Sequence, residues 1–568
     1  MQVIILHPSC ITIISSILLL VYRNILRANN SNYLGVMCYV LSIIPTLLVF
    51  VSLYFLDGQY NINISSNSSI IFQFSYDNRL ICCALNIMFL SSNLNSLSNN
   101  RIFELILGSI IAGCSYLLIF SSDFISLFIA IEISAIAGAI LIFYSGNSKK
   151  HLISSNRYFY THLVCGYMVL LGVLYIKEAT GNYNIINMSN FYQTSQIAAI
   201  VTVIMLLGFL ISLAVFPFCG AIVENYSAAS CSGFLYLFFS SISICFTVLK
   251  MFSHQEFRFI IALFAITTLI YSYIKSIFMD DLLKLISLFS VIQYSIFLCY
   301  TTVPDVNKVE HLIVRYFFIS IIYKTLFNLS TVIFIDKYNI RQSSLIVKTN
   351  NIWIISGWIL SILHMISFPF TASFFIKSMI ANTVMDKFYF LITSFFNIVL
   401  IASLPWNRYI SLNKYSSCTV NITDKVSIIL VSILLFASSC LYFIGWYVDG
   451  SILFSSIDVS IFTVIKQILI IFTVILVSQV IFIKHGNQST INLVIDIGNM
   501  LAKFYGYAIS LISSIISRIK NIILAKLVNI SISVRGRVES VNYLCDQRFA
   551  ISIILVLLIF LLFIFVHD

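Results

Sequence analysis

Two stretches, LISLAVFPFCG at residues 210–220 and LHMISFPFTAS at residues 363–373, decide how this chain reads. Each sets a proline between two phenylalanines inside an apolar run, in a chain with only 6 prolines. Proline removes a backbone N–H and clashes with the preceding turn, so an apolar helix breaks there. In lipid, the freed backbone groups must be satisfied by protein or by water in a cavity. Pro217 and Pro369 are therefore expected to mark two broken membrane helices. Paired breaks in matching positions of two halves point to an ion pathway.

Composition supports a membrane setting for both stretches. The 568 residues are 60% hydrophobic and 9% charged, where soluble chains carry about 45–50% and about 25%. Only 32 basic and 21 acidic side chains are present, too few to cover a soluble protein of this size. A globular cytosolic enzyme, a nucleic-acid-binding protein and a disordered scaffold are excluded. With about 20 apolar residues per span, the composition allows about 14 to 16 membrane helices. The expected fold is an all-α polytopic membrane protein.

The first run ends at Arg23 and Arg27, and others follow near 34–56, 80–95, 103–121, 124–145, 158–176, 197–219 and 231–252. The series continues near 259–277, 285–303, 312–335, 352–378, 387–405, 426–447, 460–483 and 549–566, with 80–95 the weakest. Pro217 and Pro369 fall in the seventh and twelfth runs. Five spans reverse the membrane orientation, so the two halves are expected to be inverted repeats. The chain divides into N-terminal helices at 1–100, a first half at 101–255, a second half at 256–405 and further helices at 406–484. A basic amphipathic connector at 485–548 and a last helix at 549–568 complete it.

The net charge of +11 reads as loop lysines and arginines kept on the cytoplasmic side. Alternate loops carry Arg23 and Arg27, then Arg101, then Lys149, Lys150 and Arg157, then Lys275, then Lys337, Arg341 and Lys348. That alternation places the N-terminus outside. The 13 cysteines form no CxxC pair and read as small buried hydrophobes. No phosphate-cradling glycine motif is present, so no cofactor and no metal are expected. Energy would come from an ion gradient or a partner subunit.

Charged residues in mid-span are costly and mark function by default. Glu132 is central in SDFISLFIAIEISAIAGAILIFY, Lys324 is central in VRYFFISIIYKTLFNLSTVIFI, and Lys377 follows Pro369 by eight residues. The functional reading is a proton relay. The plainer readings are a static ion pair for Glu132 or Lys324, and a side chain reaching the interface for Lys377. Glu224, Asp280, Asp281 and Lys284 lie at span ends and read as solvated or interfacial. His254, His311 and His364 read as surface or packing residues.

These residues sit in motifs that resemble the antiporter-like membrane subunits shared by Mrp-type multisubunit cation/proton antiporters and respiratory complex I. The resemblance covers roughly residues 100–400 and rests on four segments. LGFLISLAVFPFCGAIVENYSAA at 207–229 is similar to the family's seventh-span motif, a Gly-Phe followed by Lys, Phe-Pro-Phe-His and a Leu-Pro-Asp-Ala loop. DLLKLISLFSVIQYSI at 281–296, YKTLFNL at 323–329 and SFPFTASFFIK at 367–377 match further family segments in the correct order.

The resemblance implies that Glu132 takes the place of a fifth-span proton-relay glutamate, and Lys324 and Lys377 those of lysines in the second half-channel. Ser212 and Ser243 stand where the family has its seventh- and eighth-span lysines, and Cys219 where it has a histidine. Two more family histidines align with Tyr316 and Ser320. Glu132 thus loses its basic partner, and a degraded first half-channel is expected; a water wire through Ser212 and Ser243 is the alternative. The implied function is a D-type subunit of a cation/proton antiporter, exchanging protons for Na⁺ or K⁺ in the bacterial inner membrane. Its expected partners are other membrane subunits and the lipid bilayer, with no nucleic acid. A proton-translocating subunit of complex I and a non-transporting structural subunit are the other two readings.

Overall fold

In a computed structural model, residues 6–383 and 420–447 are described, apart from short stretches at 30–33, 66–67, 147, 182, 186–187, 278, 280, 304–305 and 340–350. The expected runs at 387–405, 460–483 and 549–566, and the connector at 485–548, lie outside them. The described residues all belong to one unit, Met1–Ala502.

The chain begins with α1 (Pro8–Asn29) and α2 (Leu34–Phe55), then a hairpin of β1 (Gly58–Ser65) and β2 (Ser68–Phe74). Helices α3 (Tyr76–Ser98), α4 (Ile102–Phe120), α5 (Phe124–Tyr144), α6 (Lys149–Thr180) and the short α7 (Met188–Tyr192) follow. The first broken span is α8 (Gln196–Ser212) with α9 (Cys219–Tyr226). Next come α10 (Cys231–Phe252), α11 (Gln255–Ile277), α12 (Leu282–Thr301) and α13 (Val306–Tyr338). The second broken span is α14 (Ile352–Met365) with α15 (Ala372–Thr383), and α16 (Ile422–Tyr447) closes the set.

Nine of these helices are long and apolar enough to cross a membrane, and four shorter apolar helices accompany them among the described residues. The chain is a multi-pass membrane protein. Every expected run within the described residues coincides with a helix, and both breaks fall at the prolines. The hairpin departs from the all-α expectation. Its strands pair antiparallel from Gly58↔Phe74 to Ser65↔Ser68, so backbone groups in this Asn- and Ser-rich segment bond to each other. Asp123 ties the hairpin to the bundle: its Oδ2 accepts the Ile71 N–H at 3.0 Å, while its Oδ1 caps α5 by accepting the Ser126 N–H at 2.7 Å.

The run with the weakest hydropathy, α3, lies deep inside the bundle. Its polar side chains explain the weak signal, because neighbouring helices satisfy them. Asn86 donates to the Thr46 carbonyl at 2.8 Å and accepts the Tyr116 hydroxyl at 3.2 Å. Asn93 donates to the Ser42 carbonyl and accepts the Tyr236 hydroxyl at 2.8 Å. Helices α10, α12 and α13 are almost wholly enclosed, whereas α11 and α16 leave most of their surface outside.

One end of the bundle is held by charges. Arg101 reaches Glu104 at 3.9 Å and Asp336 at 3.7 Å, and donates to the Ser232 hydroxyl at 3.1 Å. Asn99 also donates to Asp336, and Asp424 accepts from Ser98 and Asn95. The group links α3, α4, α10, α13 and α16 at the ends of the helices where the loop charges place the inner face.

Candidate functional site

The second break arises because three residues after α14 cannot continue a helix. Ser367 and Phe370 take left-handed φ of 52° and 71°, and Pro369 between them has no N–H to donate. Non-glycine residues with such φ store strain, and the surrounding packing must hold them. The chain restarts as α15 with the Phe374 N–H bonded to the Thr371 carbonyl at 3.0 Å. Lys377 then falls on the second turn of α15, where its side chain is 0% exposed. Its ammonium nitrogen has no hydrogen-bond partner among the described residues and lies 5.4 Å from the Tyr316 ring. Lys377 is therefore enclosed by protein and does not reach a surface, unlike the plainer reading of it.

Lys324 is buried midway along α13. Its Nζ stands 3.8 Å from the Tyr294 ring on α12 and 5.1 Å from the Phe238 ring on α10, again with no hydrogen-bond partner among the described residues. Tyr316 and Lys324 are eight residues apart on one helix, about 12 Å along its axis. Between the two lysines, the Tyr323 hydroxyl donates to Gln293 at 3.0 Å. His364, at the end of α14, is buried between Ser373 at 3.4 Å and Ser439 at 3.2 Å. The second break thus holds Lys377 and His364 with several hydroxyls, and Lys324 lies on the neighbouring α13, neither amine having a hydrogen-bond partner among the described residues.

The first break has the same form with different chemistry. Ala214 takes a left-handed φ of 62°, and the Phe216 N–H donates across to the Thr268 hydroxyl at 2.8 Å. Ser212 and Ser243 are buried, and each donates to a carbonyl of its own helix, Phe209 at 2.7 Å and Phe239 at 3.0 Å. Their protons are thus engaged locally. Basic groups come instead from neighbouring helices. The Lys275 Nζ lies 3.0 Å from where a Cβ on Gly220 would sit, beside Cys219, and Lys284 pairs with Glu224 at 2.6 Å. Glu224 is therefore ion-paired, not simply solvated. Asp281 caps α12 through the Leu283 N–H at 2.9 Å, while Asp280 lies outside the described residues.

Glu132 stands on α5 against α6. A Cβ on Gly166 would collide with its carboxylate, so only glycine leaves it room. Among the described residues it makes no ion pair, in line with the loss of its basic partner; its neighbours are Cys165 and the outward-facing Tyr167. One turn back on α6 is His162, buried, stacked 4.3 Å from Tyr158, with no hydrogen-bond partner at Nε2 among the described residues.

Buried polar atoms are rarely left unpaired, and those that are call for ordered water or a task. Among the described residues they include the amines of Lys324 and Lys377, His162 Nε2, the Tyr294 hydroxyl and both amide atoms of Asn225. The arrangement suits proton transfer: titratable groups without fixed counter-ions, separated by hydroxyls that both donate and accept. Among the described residues no group of three or more histidine, cysteine or acidic side chains could hold a metal ion. His162 and the buried Tyr158, Tyr226, Tyr294 and Tyr323 escaped the sequence reading, and Lys275 entered it only as a loop charge. The signal for Lys275 was its place near a span end, which made it look like an ordinary loop charge; tyrosines inside apolar spans give no charge signal.

Comparison with known proteins yields three kinds of likeness. The family described as NADH:quinone oxidoreductase/Mrp antiporter, transmembrane, matches residues 121–403. Subunit N of the NADH-quinone oxidoreductase of Pelobacter propionicus is 29% identical over 171 residues, covering 30% of this chain and 36% of that protein. The match thus spans about a third of that curated relative's length. A chain of the Mrp complex from Dietzia sp. superposes with a TM-score of 0.65 at 11% identity, covering 82% of this chain and 96% of that one. A chain of the membrane-bound sulfane sulfur reductase, an archaeal respiratory membrane complex, gives 0.65 at 13% identity, with coverages of 82% and 99%. A chain of respiratory complex I from Thermus thermophilus gives 0.60 at 12% identity, with coverages of 77% and 98%. At such identities the structural likenesses speak for the fold alone.

Proposed function

Because residues 121–403 belong to the NADH:quinone oxidoreductase/Mrp antiporter family, we propose that this antiporter-like subunit conducts protons within a multisubunit cation/proton antiporter. The observation that carries the reading is the pair of lysines, Lys377 just after the second break and Lys324 midway along α13, both buried and both without a hydrogen-bond partner among the described residues. A proton arriving from the inner face loads Lys324, passes along the Tyr323–Gln293 and Tyr316 side of α13, and leaves through Lys377. One proton enters and one leaves, and each amine returns to its starting state. Glu132, at the rim of the bundle beside Tyr167, lies where a neighbouring subunit would couple to it. The first half-channel lacks the family's lysines at Ser212 and Ser243 and is degraded in that sense.

A second reading, a proton-translocating subunit of a quinone-reducing respiratory complex, is favoured by the likeness to subunit N of the Pelobacter propionicus enzyme. In both readings the chain sits in a bacterial inner membrane among other membrane subunits, with protons as cargo. Na⁺ or K⁺ is the counter-ion in the first reading only. The test is gentle-detergent purification of the tagged chain from its own membranes, with mass spectrometry of what accompanies it. Small hydrophobic antiporter subunits support the leading reading, and flavin- or iron–sulfur-bearing subunits move the chain to the second. Assembly with either set, but no change in proton flux when Lys324 is replaced, would make it a structural subunit and sink both.

A further inference from the structure

The half-helix α9 (Cys219–Tyr226) carries a run of chemistry that the lysine pair does not use. At its outer edge Glu224 pairs with Lys284 at 2.6 Å, with the two side chains 36% and 22% exposed, so solvent reaches the pair. The next residue, Asn225, is fully buried, and neither its amide nitrogen nor its amide oxygen finds a partner among the described residues. The next again, Tyr226, is buried with its hydroxyl 2.6 Å from that of Ser241 on α10. Ser241 and Tyr226 both neighbour Tyr294 on α12, whose hydroxyl has no hydrogen-bond partner among the described residues. The Tyr294 ring stands 3.8 Å from the Lys324 amine. Glu224, Asn225 and Tyr226 are thus consecutive on α9, and Ser241, Tyr294 and Lys324 follow as neighbours, from a solvent-reached carboxylate to a lysine with no hydrogen-bond partner among the described residues.

We infer that protons reach Lys324 along α9, from the Glu224–Lys284 pair through Asn225 and the Tyr226–Ser241 hydroxyls to Tyr294. The inference rests on the proton-conducting reading above and names the uptake route for it. Asn225 can hold water on both its amide atoms, which supplies the hop between carboxylate and phenol. Each hydroxyl accepts a proton on one side and gives one up on the other, so the relay is unchanged after each transfer. Lys275 and Lys284 place two cations beside one carboxylate at the mouth. Tyr158, 6.1 Å from Tyr226 and 4.3 Å from His162, joins a side branch toward Glu132. The route is made of hydroxyls and an amide where the family resemblance places lysines, so no charge on α8 is needed to feed Lys324.

The test uses the native complex purified with its partners and sealed into vesicles, with a pH-sensitive dye reporting proton flux. Tyr226→Phe removes one oxygen and keeps the ring; Ser241→Ala removes the other end of the same hydrogen bond. Each is expected to slow flux by about tenfold or more, a barrier increase of about 1.4 kcal/mol. Tyr236→Phe is the control, a buried hydroxyl bonded to Asn93 and Ser96 away from this line, and it should leave flux unchanged. Because either hydroxyl variant could weaken packing, flux is taken per assembled complex measured by size exclusion. Normal flux in Tyr226→Phe and Ser241→Ala, with flux lost in Lys324→Ala, overturns the route and leaves the proton-conducting reading standing. Equal slowing by Tyr236→Phe also overturns the route. Normal flux in Lys324→Ala sinks the reading itself.

Discussion

Replacing Lys377 by methionine should make the protein more stable and abolish its proton conduction. The side chain is 0% exposed, and its amine has neither a hydrogen bond nor a counter-ion among the described residues. A lysine at the centre of a membrane helix costs about 2.5–3.5 kcal/mol, and the similarly shaped methionine avoids that cost. The Tyr316 ring is 5.4 Å from its amine, near the limit of a useful cation–π contact. Lys377→Met should therefore gain about 2–3 kcal/mol. Lys324 sits closer to its rings, at 3.8 and 5.1 Å, and a desolvated contact of that kind returns about 2 kcal/mol. Lys324→Met should accordingly gain only about 1 kcal/mol. The assay is unfolding of the two variants in mixed micelles, beside proton flux in vesicles. A Lys377→Met protein that is less stable than wild type, or a larger gain at Lys324 than at Lys377, would refute the reasoning, because it would mean that Lys377 has a compensating partner.

Three further outcomes follow from the same packing. Gly166→Ala should force the Glu132 carboxylate out of its place, at about 1 kcal/mol if the side chain can swing to another rotamer; mass spectrometry of the purified complex would then show a neighbouring subunit retained less well. Arg101→Ala would leave Glu104 and Asp336 without their shared cation. Because Arg101 is 33% exposed, the loss should be about 2–3 kcal/mol, below that of a fully buried pair, read as a lower unfolding midpoint. Near the N-terminus, burial against Phe72, Phe74 and Phe120 pushes the His7 imidazole down to about 3. Its unfolded value is about 6.5, so between these limits the unfolded chain binds the extra proton and stability falls as pH drops. His7→Phe should flatten that part of the pH–stability curve.

The helices were legible because a membrane span has a strong linear signature, and the breaks because two prolines share the same Phe-Pro-Phe setting; proline alone was no guide, since Pro45 lies inside the unbroken α2. The hairpin at 58–74 was not, since Asn and Ser alternate with isoleucines there and a polar connection between spans looks the same. Lys324 stood out as a charge in mid-span. Lys377 stood out eight residues after Pro369, but its complete burial could not be read from the sequence. Ser212 and Ser243 stood out only through the family resemblance; which way a hydroxyl points depends on its own helix turn, and both bond back to it. Tyr158, Tyr226 and Tyr294 count as apolar in any hydropathy sum, so a line of phenols across three helices leaves no trace until the helices are packed. The same holds for Lys275, whose place beside Gly220 is set by contact between α11 and α9.

The central claim is that the lysines at the second break carry protons. Its most direct measurement is dye-reported proton flux across sealed vesicles holding the native complex, wild type beside Lys324→Ala, at equal amounts of assembled complex. Flux that collapses in the variant while every partner subunit is retained is the predicted result. Unchanged flux with Lys324 gone would contradict the account.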